Sequence, residues 1–251
     1  MLEINSTQND LVKYCVKLSD SKFRKSEKMV LVDGIKTISG LIEDGFEFEY
    51  IFTSDDITDT KIKAKNIVKT NSKVLNKIST LKTPSGMVGI IKEPVIDKNI
   101  FLNLKKIALI EDIKDPGNLG TIIRSACAFS IDGIILFGNC CDLYNSKTLR
   151  ATTQNMFKIP VIELDDIEFI KKLKKTHKLI STVVNTKNNF FDYRFDDNFI
   201  LAFGSEADGL SKKITELSDD TLTFKMKNNV ESLNLAICAS VAFAYIDNYK
   251  R

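Results

Sequence analysis

Three short stretches concentrate the side chains that could do chemistry. Residues 200–211 (ILAFGSEADGLS) run an apolar strand into Gly204, Ser205 and Glu206, with Gly209 beyond. Residues 228–245 (NNVESLNLAICASVAFAY) place Glu231, Ser232 and Asn234 at the entrance of an otherwise apolar helix. Residues 115–129 (DPGNLGTIIRSACAF) put Asn118 and Arg124 on a helix that follows a strand. A glycine at a strand end lets a backbone approach a ligand closely, or simply turns the chain. Ser232 or Glu231 would cap the last helix and Asn118 the middle one. Asn234 falls inside the first turns of a helix over 233–246, where burial demands hydrogen-bond partners. Amides, a hydroxyl, one carboxylate and one guanidinium suit the binding of a polar ligand between backbone loops and a helix start.

Other chemistries find little support. GxGxxG and GxxxxGK[ST] are absent, which weighs against a dinucleotide fold and a phosphate loop. The single histidine, His177, sits in KKLKKTHK and is expected to be exposed. The five cysteines form no CxxC pair and are read as reduced, partly buried thiols. A zinc site or a histidine-based triad is not favoured.

The elements that must position these groups come from periodicity. Residues 8–19 read as an amphipathic helix, 29–33 as a strand, 34–45 as a helix and 46–54 as a strand. The mixed segment 94–103 is read as a boundary between domains of 1–95 and 104–251. Beyond it KIALIED, DGIILFG, KIPVIEL, KLISTVVN, NFILAFG and TLTFK alternate with helical segments. That pattern predicts an α/β unit with a mainly parallel sheet covered on both faces. Ligands then belong beyond the carboxyl ends of the strands, where the three stretches fall. With 251 residues, 43% hydrophobic and 27% charged, the chain is long enough and mixed enough for two cores. No apolar run reaches membrane-spanning length and residues 1–10 are polar, so cytoplasm is the default expectation.

The net charge of +3 is mild, so any nucleic-acid surface must be local. From Thr60 to Lys92 there is no acid, and Lys69, Lys73 and Lys77 are spaced to line one helical face, with Lys61, Lys63 and Lys65 before them. A solvated face and a phosphate-facing surface are both compatible with that spacing. A second basic cluster is Lys22, Arg24, Lys25 and Lys28.

Taken in order, DPGNLGTIIRSACAF, LAFGSEADGLS and NNVESLNLAICASVAFAY resemble the three signature motifs of the SpoU/TrmH family of RNA ribose 2′-O-methyltransferases, in the SPOUT superfamily. Residues 10–93 are similar to the family's substrate-binding module, an L30e-like α/β domain. The resemblance implies a parallel-sheet SPOUT domain with a trefoil knot behind that smaller domain. It implies S-adenosylmethionine as cofactor, an RNA substrate, a homodimer formed through the last domain, and no metal. Ribosomal RNA is the expected substrate; transfer RNA, or RNA binding without catalysis, are the alternatives.

By the same resemblance Asn118, Arg124, Glu206, Ser232 and Asn234 are the expected catalytic set. Gly204, Phe224, Met226 and Leu233 are expected to hold the cofactor, largely through backbone. Arg124 is expected to bind phosphate or oxyanion, the two asparagines to orient groups, and Glu206 to hold Arg124 or a loop backbone. RNA contacts are expected from Lys22, Arg24, Lys25, Lys69, Lys73, Lys77 and Arg150. The last helix is expected to bury Ala236, Ala239, Ala242 and Phe243 against a second copy. One departure is Gln154, where family members carry a glycine after an arginine.

Overall fold

The computed structural model describes residues 2–54, 64–153, 155–228 and 232–249. Gln154, Lys61, Lys63 and Glu231, each singled out above, lie outside the described residues. The chain forms two compact units: residues 1–95 with 144–149, and residues 96–143 with 150–251.

The first unit is a five-stranded mixed sheet with helices. Its strands are β1 (Leu2–Glu3), β2 (Met29–Asp33), β3 (Phe48–Thr53), β4 (Ala64–Lys69) and β5 (Met87–Lys92), in the order β1-β4-β3-β5-β2. β5 runs antiparallel to both its neighbours, while β1, β4 and β3 are parallel. Helices α1 (Asp10–Lys17), α2 (Ser21–Glu27), α3 (Ile35–Glu43) and α4 (Ser72–Ile78) complete it. Val12, Cys15 and Leu18 of the α1 region pack with Val74, Leu75 and Ile78 of α4 over Phe52, Val68 and Val88. Asn9, Asp20 and Asn71 each cap a helix by accepting a backbone N–H.

The second unit is a six-stranded, wholly parallel sheet. It comprises β6 (Lys106–Glu111), β7 (Gly133–Phe137), β8 (Val161–Leu164), β9 (Lys178–Thr182), β10 (Phe199–Phe203) and β11 (Asp220–Leu222), in the order β11-β9-β10-β6-β7-β8. Its helices are α5 (Pro116–Ala128), α7 (Ile167–Leu173), α8 (Lys212–Leu217) and α9 (Leu235–Tyr249), while α6 (Ser146–Thr152) has residues up to 149 in the first unit and those from Arg150 in this one. The central strands are apolar along most of their length, β6 from Ile107 to Ile110 and β10 throughout, because both faces are covered. One face joins Ile107, Leu109, Ile200 and Ala202 to Phe169 and Ile170 of α7 and Ile214 of α8. On α9, Phe243 meets Phe203 of β10 edge to face, with centroids 5.9 Å apart, and α9 packs along α5. The Ser125 and Ser240 hydroxyls join those two helices at 2.6 Å.

Two expectations fail here. His177 is buried, 3% exposed: Nε2 lies 2.6 Å from the Leu104 carbonyl oxygen and Nδ1 2.9 Å from Thr176 Oγ1. Its run of lysines brackets a turn that buries the ring against the Leu104 and Leu173 carbonyls. Ala236, Ala239, Ala242 and Phe243 are also buried, against their own chain. The exposed apolar side chains of this helix and its entrance are Leu233, Ile237 and Val241, spaced four apart.

Candidate active site

Adjacent strands β6 and β10 pair from Lys106 with Phe199 to Ile110 with Phe203. The chain then leaves them towards different layers, into α5, which packs on α9, and into α8, which joins the other core. In an open parallel sheet such divergence leaves a crevice beyond the carboxyl ends.

The loop after β10 is a closed lobe. Ser205 and Gly209 exchange two backbone hydrogen bonds, of 3.2 and 3.0 Å, and the Asp208 N–H donates to Ser205 Oγ at 3.1 Å. A Cβ at Gly204 would lie 2.0–2.2 Å from backbone atoms of Gly209 and Leu210, so only glycine fits there. The close approach expected at Gly204 is therefore to the lobe's own backbone.

The loop after β6 ends on a cap. Asp115 accepts the Asn118 N–H at 2.9 Å and Pro116 starts the helix, so Asp115 is the cap and Asn118 is not. That frees the Asn118 side chain, which bridges two loops. Its Nδ2 donates to Glu206 Oε1 at 2.5 Å, and its Oδ1 accepts from Asn234 Nδ2 at 3.2 Å. Asn234 in turn caps α9, its Oδ1 accepting the N–H groups of Ala236 (3.0 Å) and Ile237 (3.3 Å). The helix thus begins later than its apolar run suggests, and Asn234 is exposed rather than buried.

Glu206 and Asn234 line a cavity of about 560 Å³, within the range of roughly 300–1,000 Å³ common for small-molecule sites. Gly204, Phe224, Met226, Ser232 and Leu233 line it too. Phe224 is fixed by stacking on Phe190, centroids 4.4 Å apart and planes 18° apart. Tyr245 of α9 touches Phe190 and donates from Oη to the Phe191 carbonyl. The wall missed in the sequence is 182–184, at the carboxyl end of β9, where a threonine and two valines give no polar signal. Its position beside β10 was the available clue. Cys238 also lines the cavity, and burial pushes its thiol up to about 12, which keeps it neutral.

Other expected residues do not join this group. Arg124 is exposed on α5, lies outside the cavity wall, and has no hydrogen bond or ion pair among the described residues. Glu206 bonds Asn118, not Arg124. The lysine stripe is broken: Lys69 ends strand β4, and α4 starts only after the Asn71 cap, leaving Lys73 and Lys77 on its exposed side. Lys65 pairs with Glu49 at 2.8 Å. Arg24 is 4% exposed and donates to the Leu18 carbonyl, so it ties α1 to α2 inside the unit. Lys22 and Lys25 are exposed on α2, and Arg150 is exposed on α6. Among the described residues no group of three or more His, Cys, Asp or Glu could hold a metal ion.

Comparison with known proteins adds a family. A model of the SpoU rRNA methylase family matches residues 105–244, and one of an MRM3-like substrate binding domain matches residues 9–89. The chain is 29% identical over 250 residues to an uncharacterized tRNA/rRNA methyltransferase of Synechocystis, covering 95% of this chain and 90% of that protein. It is 26% identical over 247 residues to the 23S rRNA (guanosine(2553)-2′-O)-methyltransferase RlmP of Bacillus subtilis, covering 96% and 97%. Among solved structures, an AdoMet-bound rRNA methyltransferase from Sinorhizobium meliloti superposes with a TM-score of 0.87 at 23% identity, covering 98% of this chain and 97% of that one. AviRb from Streptomyces viridochromogenes with AdoMet also gives 0.87, at 22% identity, covering 97% and 98%. At these identities the two structures establish the fold.

Proposed function

Because the chain belongs to the SpoU rRNA methylase family, we propose that it transfers a methyl group from S-adenosylmethionine to a ribose 2′-hydroxyl of ribosomal RNA. One observation carries the reading: Asn118, in the first turn of α5, is hydrogen-bonded both to Glu206 of the loop after β10 and to Asn234 at the entrance of α9, beside a cavity that the latter two line. Ribosomal rather than transfer RNA is favoured by the match over 9–89 and by relatives such as RlmP of Bacillus subtilis and the human mitochondrial rRNA methyltransferase 3.

The cavity suits that cofactor. Val183, Leu210 and Phe224 offer apolar wall, while loop backbone at 204–209, 223–226 and 232–234 offers polar groups. Gly204, Phe224, Met226 and Leu233 would hold it, with 182–184 as a further wall. When bound, S-adenosylmethionine supplies an electrophilic methyl group on a sulfonium. The chain supplies placement, since an in-line transfer depends on holding the oxygen close and aligned. The Asn118 amide is fixed in orientation because each end already has a partner. Arg124 is a permanent cation. It binds RNA phosphate and lowers the cost of ionising the hydroxyl, whose proton passes to water or to an RNA phosphate.

The same reading places the protein in the cytoplasm as a homodimer, with Leu233, Ile237 and Val241 covered by the second copy. It also gives the first unit the task of holding structured RNA, through exposed lysines that include Lys22, Lys25, Lys69, Lys73 and Lys77. The direct test combines the purified chain, labelled S-adenosylmethionine and ribosomal RNA from cells lacking this gene. Label should survive alkaline digestion as a dinucleotide, because a 2′-O-methyl blocks cleavage of the adjoining bond. Label recovered only on bases, or no transfer, would overturn the reading.

A further inference from the structure

One buried ionisable group beside the site has no part in the scheme above. Glu111, the last residue of β6, is 4% exposed. Isolated carboxylates are costly to bury, and this one has no cation partner among the described residues. Its Oε2 accepts the backbone N–H of Ser211 at 2.7 Å. Ser211 caps α8, so this bond grips the far end of the 204–210 lobe.

The near end of the lobe is fixed as well. The register pairs Phe203 with Ile110, which brings Glu111 level with Gly204, where β10 leaves the sheet. Between those ends the lobe is stiff: Gly204 packs on 209–210 backbone, and Ser205 and Gly209 are doubly bonded. Glu206 projects from its middle onto Asn118. Segment 111–118 therefore holds the lobe at two points, once through buried Glu111 and once through Asn118 at the surface. A hydrogen bond to a carboxylate is strongest where water is excluded, so the buried grip sets the lobe and the surface contact follows.

We propose that Glu111 is a positioning residue for methyl transfer: it anchors the 204–211 lobe so that Glu206 meets Asn118 and the lobe backbone keeps the shape of the cavity wall. The proposal rests on the methyltransferase reading for its catalytic part and on geometry alone for the rest.

The test uses Glu111→Leu, which fills a similar volume without an acceptor, and Glu111→Gln, whose carbonyl oxygen can still accept the Ser211 N–H. A third variant, Ser211→Pro, removes the donor from the other side. Hydrogen exchange at the Ser211 amide should be slow in the parent and Glu111→Gln and fast in Glu111→Leu. In calorimetry with S-adenosylmethionine, Glu111→Leu and Ser211→Pro should each bind about tenfold more weakly, and Glu111→Gln within about threefold of the parent. Turnover on ribosomal RNA should fall in Glu111→Leu, and that fall should shrink below about twofold in an Asn118→Ala background. A merely stabilising residue would give effects that multiply. Slow exchange and parental affinity in folded Glu111→Leu would overturn the proposal; if that variant does not fold, parental affinity in Ser211→Pro does so. An inactive parent with no cofactor binding defeats the methyltransferase reading instead.

Discussion

The two ends of the six-stranded sheet are built differently. At the amino ends, side chains close on backbone and on each other. Asp132 accepts the N–H groups of Lys105 and Lys106, Asp219 accepts that of Leu179, and His177 reaches the Leu104 carbonyl. Asp220 takes both the Tyr193 hydroxyl at 2.6 Å and the Lys178 ammonium at 3.0 Å. The tie shows in titration: the Tyr193 hydrogen bond and the Lys178 charge hold Asp220 below its ordinary range, and Asp220 with Tyr193 pushes Lys178 up. At the carboxyl ends, the polar side chains bond one another near the surface and a cavity stands beside them. One end is sealed for stability. The other keeps groups fixed but reachable, which is what a site that must position a substrate requires.

If that contrast is right, changes at the carboxyl ends cost turnover and changes at the amino ends cost stability. The largest effect is expected from Arg124→Ala, which should lower methyl transfer by about a hundredfold or more in single-turnover assays while calorimetry finds cofactor affinity unchanged. Asn118→Ala, which removes both bonds of the bridge, should lower turnover by about tenfold with little change in melting temperature. Asp220→Asn should do the opposite, costing about 1 kcal/mol in urea unfolding and leaving turnover intact. Its pH signature follows from the sign of the shift. A carboxyl held below its ordinary value contributes stability above that value and loses it as the pH falls through the lowered one. Acid should therefore destabilise the parent more than Asp220→Asn, and equal acid sensitivity would remove the tie from the account. The smallest change is expected from Lys73→Gln with Lys77→Gln, on the exposed side of α4 in the first unit. These should flatten the salt dependence of RNA binding by roughly 1.5 log–log units if both touch phosphate. An unchanged slope would make them a solvated face.

Much of the second unit could be read from the chain because its strands are buried on both faces and stand out as continuous apolar runs. The three loop clusters were legible for the same reason, each following such a run. Caps were misjudged because several polar residues compete for one place: Asp115 took the role open to Asn118, and Asn234 that open to Ser232. That competition decided the site, since an Asn118 used as a cap could not bridge Glu206 and Asn234. The first unit was harder. Lys69, Lys73 and Lys77 have helical spacing, but Ala64–Lys69 pairs with β3 and β1, and sheet pairing overrode the local pattern. Arg24 looked like one more surface cation until α1 and α2 folded over it. On α9, helical periodicity could not say which side of an apolar helix meets the sheet, and tertiary packing chose the alanine and Phe243 side.

The proposed dimer offers a further contrast with the buried face of α9. Ile237→Glu should yield a monomer in light scattering, while the parent gives twice the mass of one chain. The measurement that bears most directly on the whole account is a map of 2′-O-methylated nucleotides in total ribosomal RNA from cells with and without this gene. The account predicts that one ribose methyl disappears in the deletion, returns with the parent gene, and does not return with Arg124→Ala. An unchanged ribosomal RNA map, with a ribose methyl lost from transfer RNA or from nowhere, would contradict it.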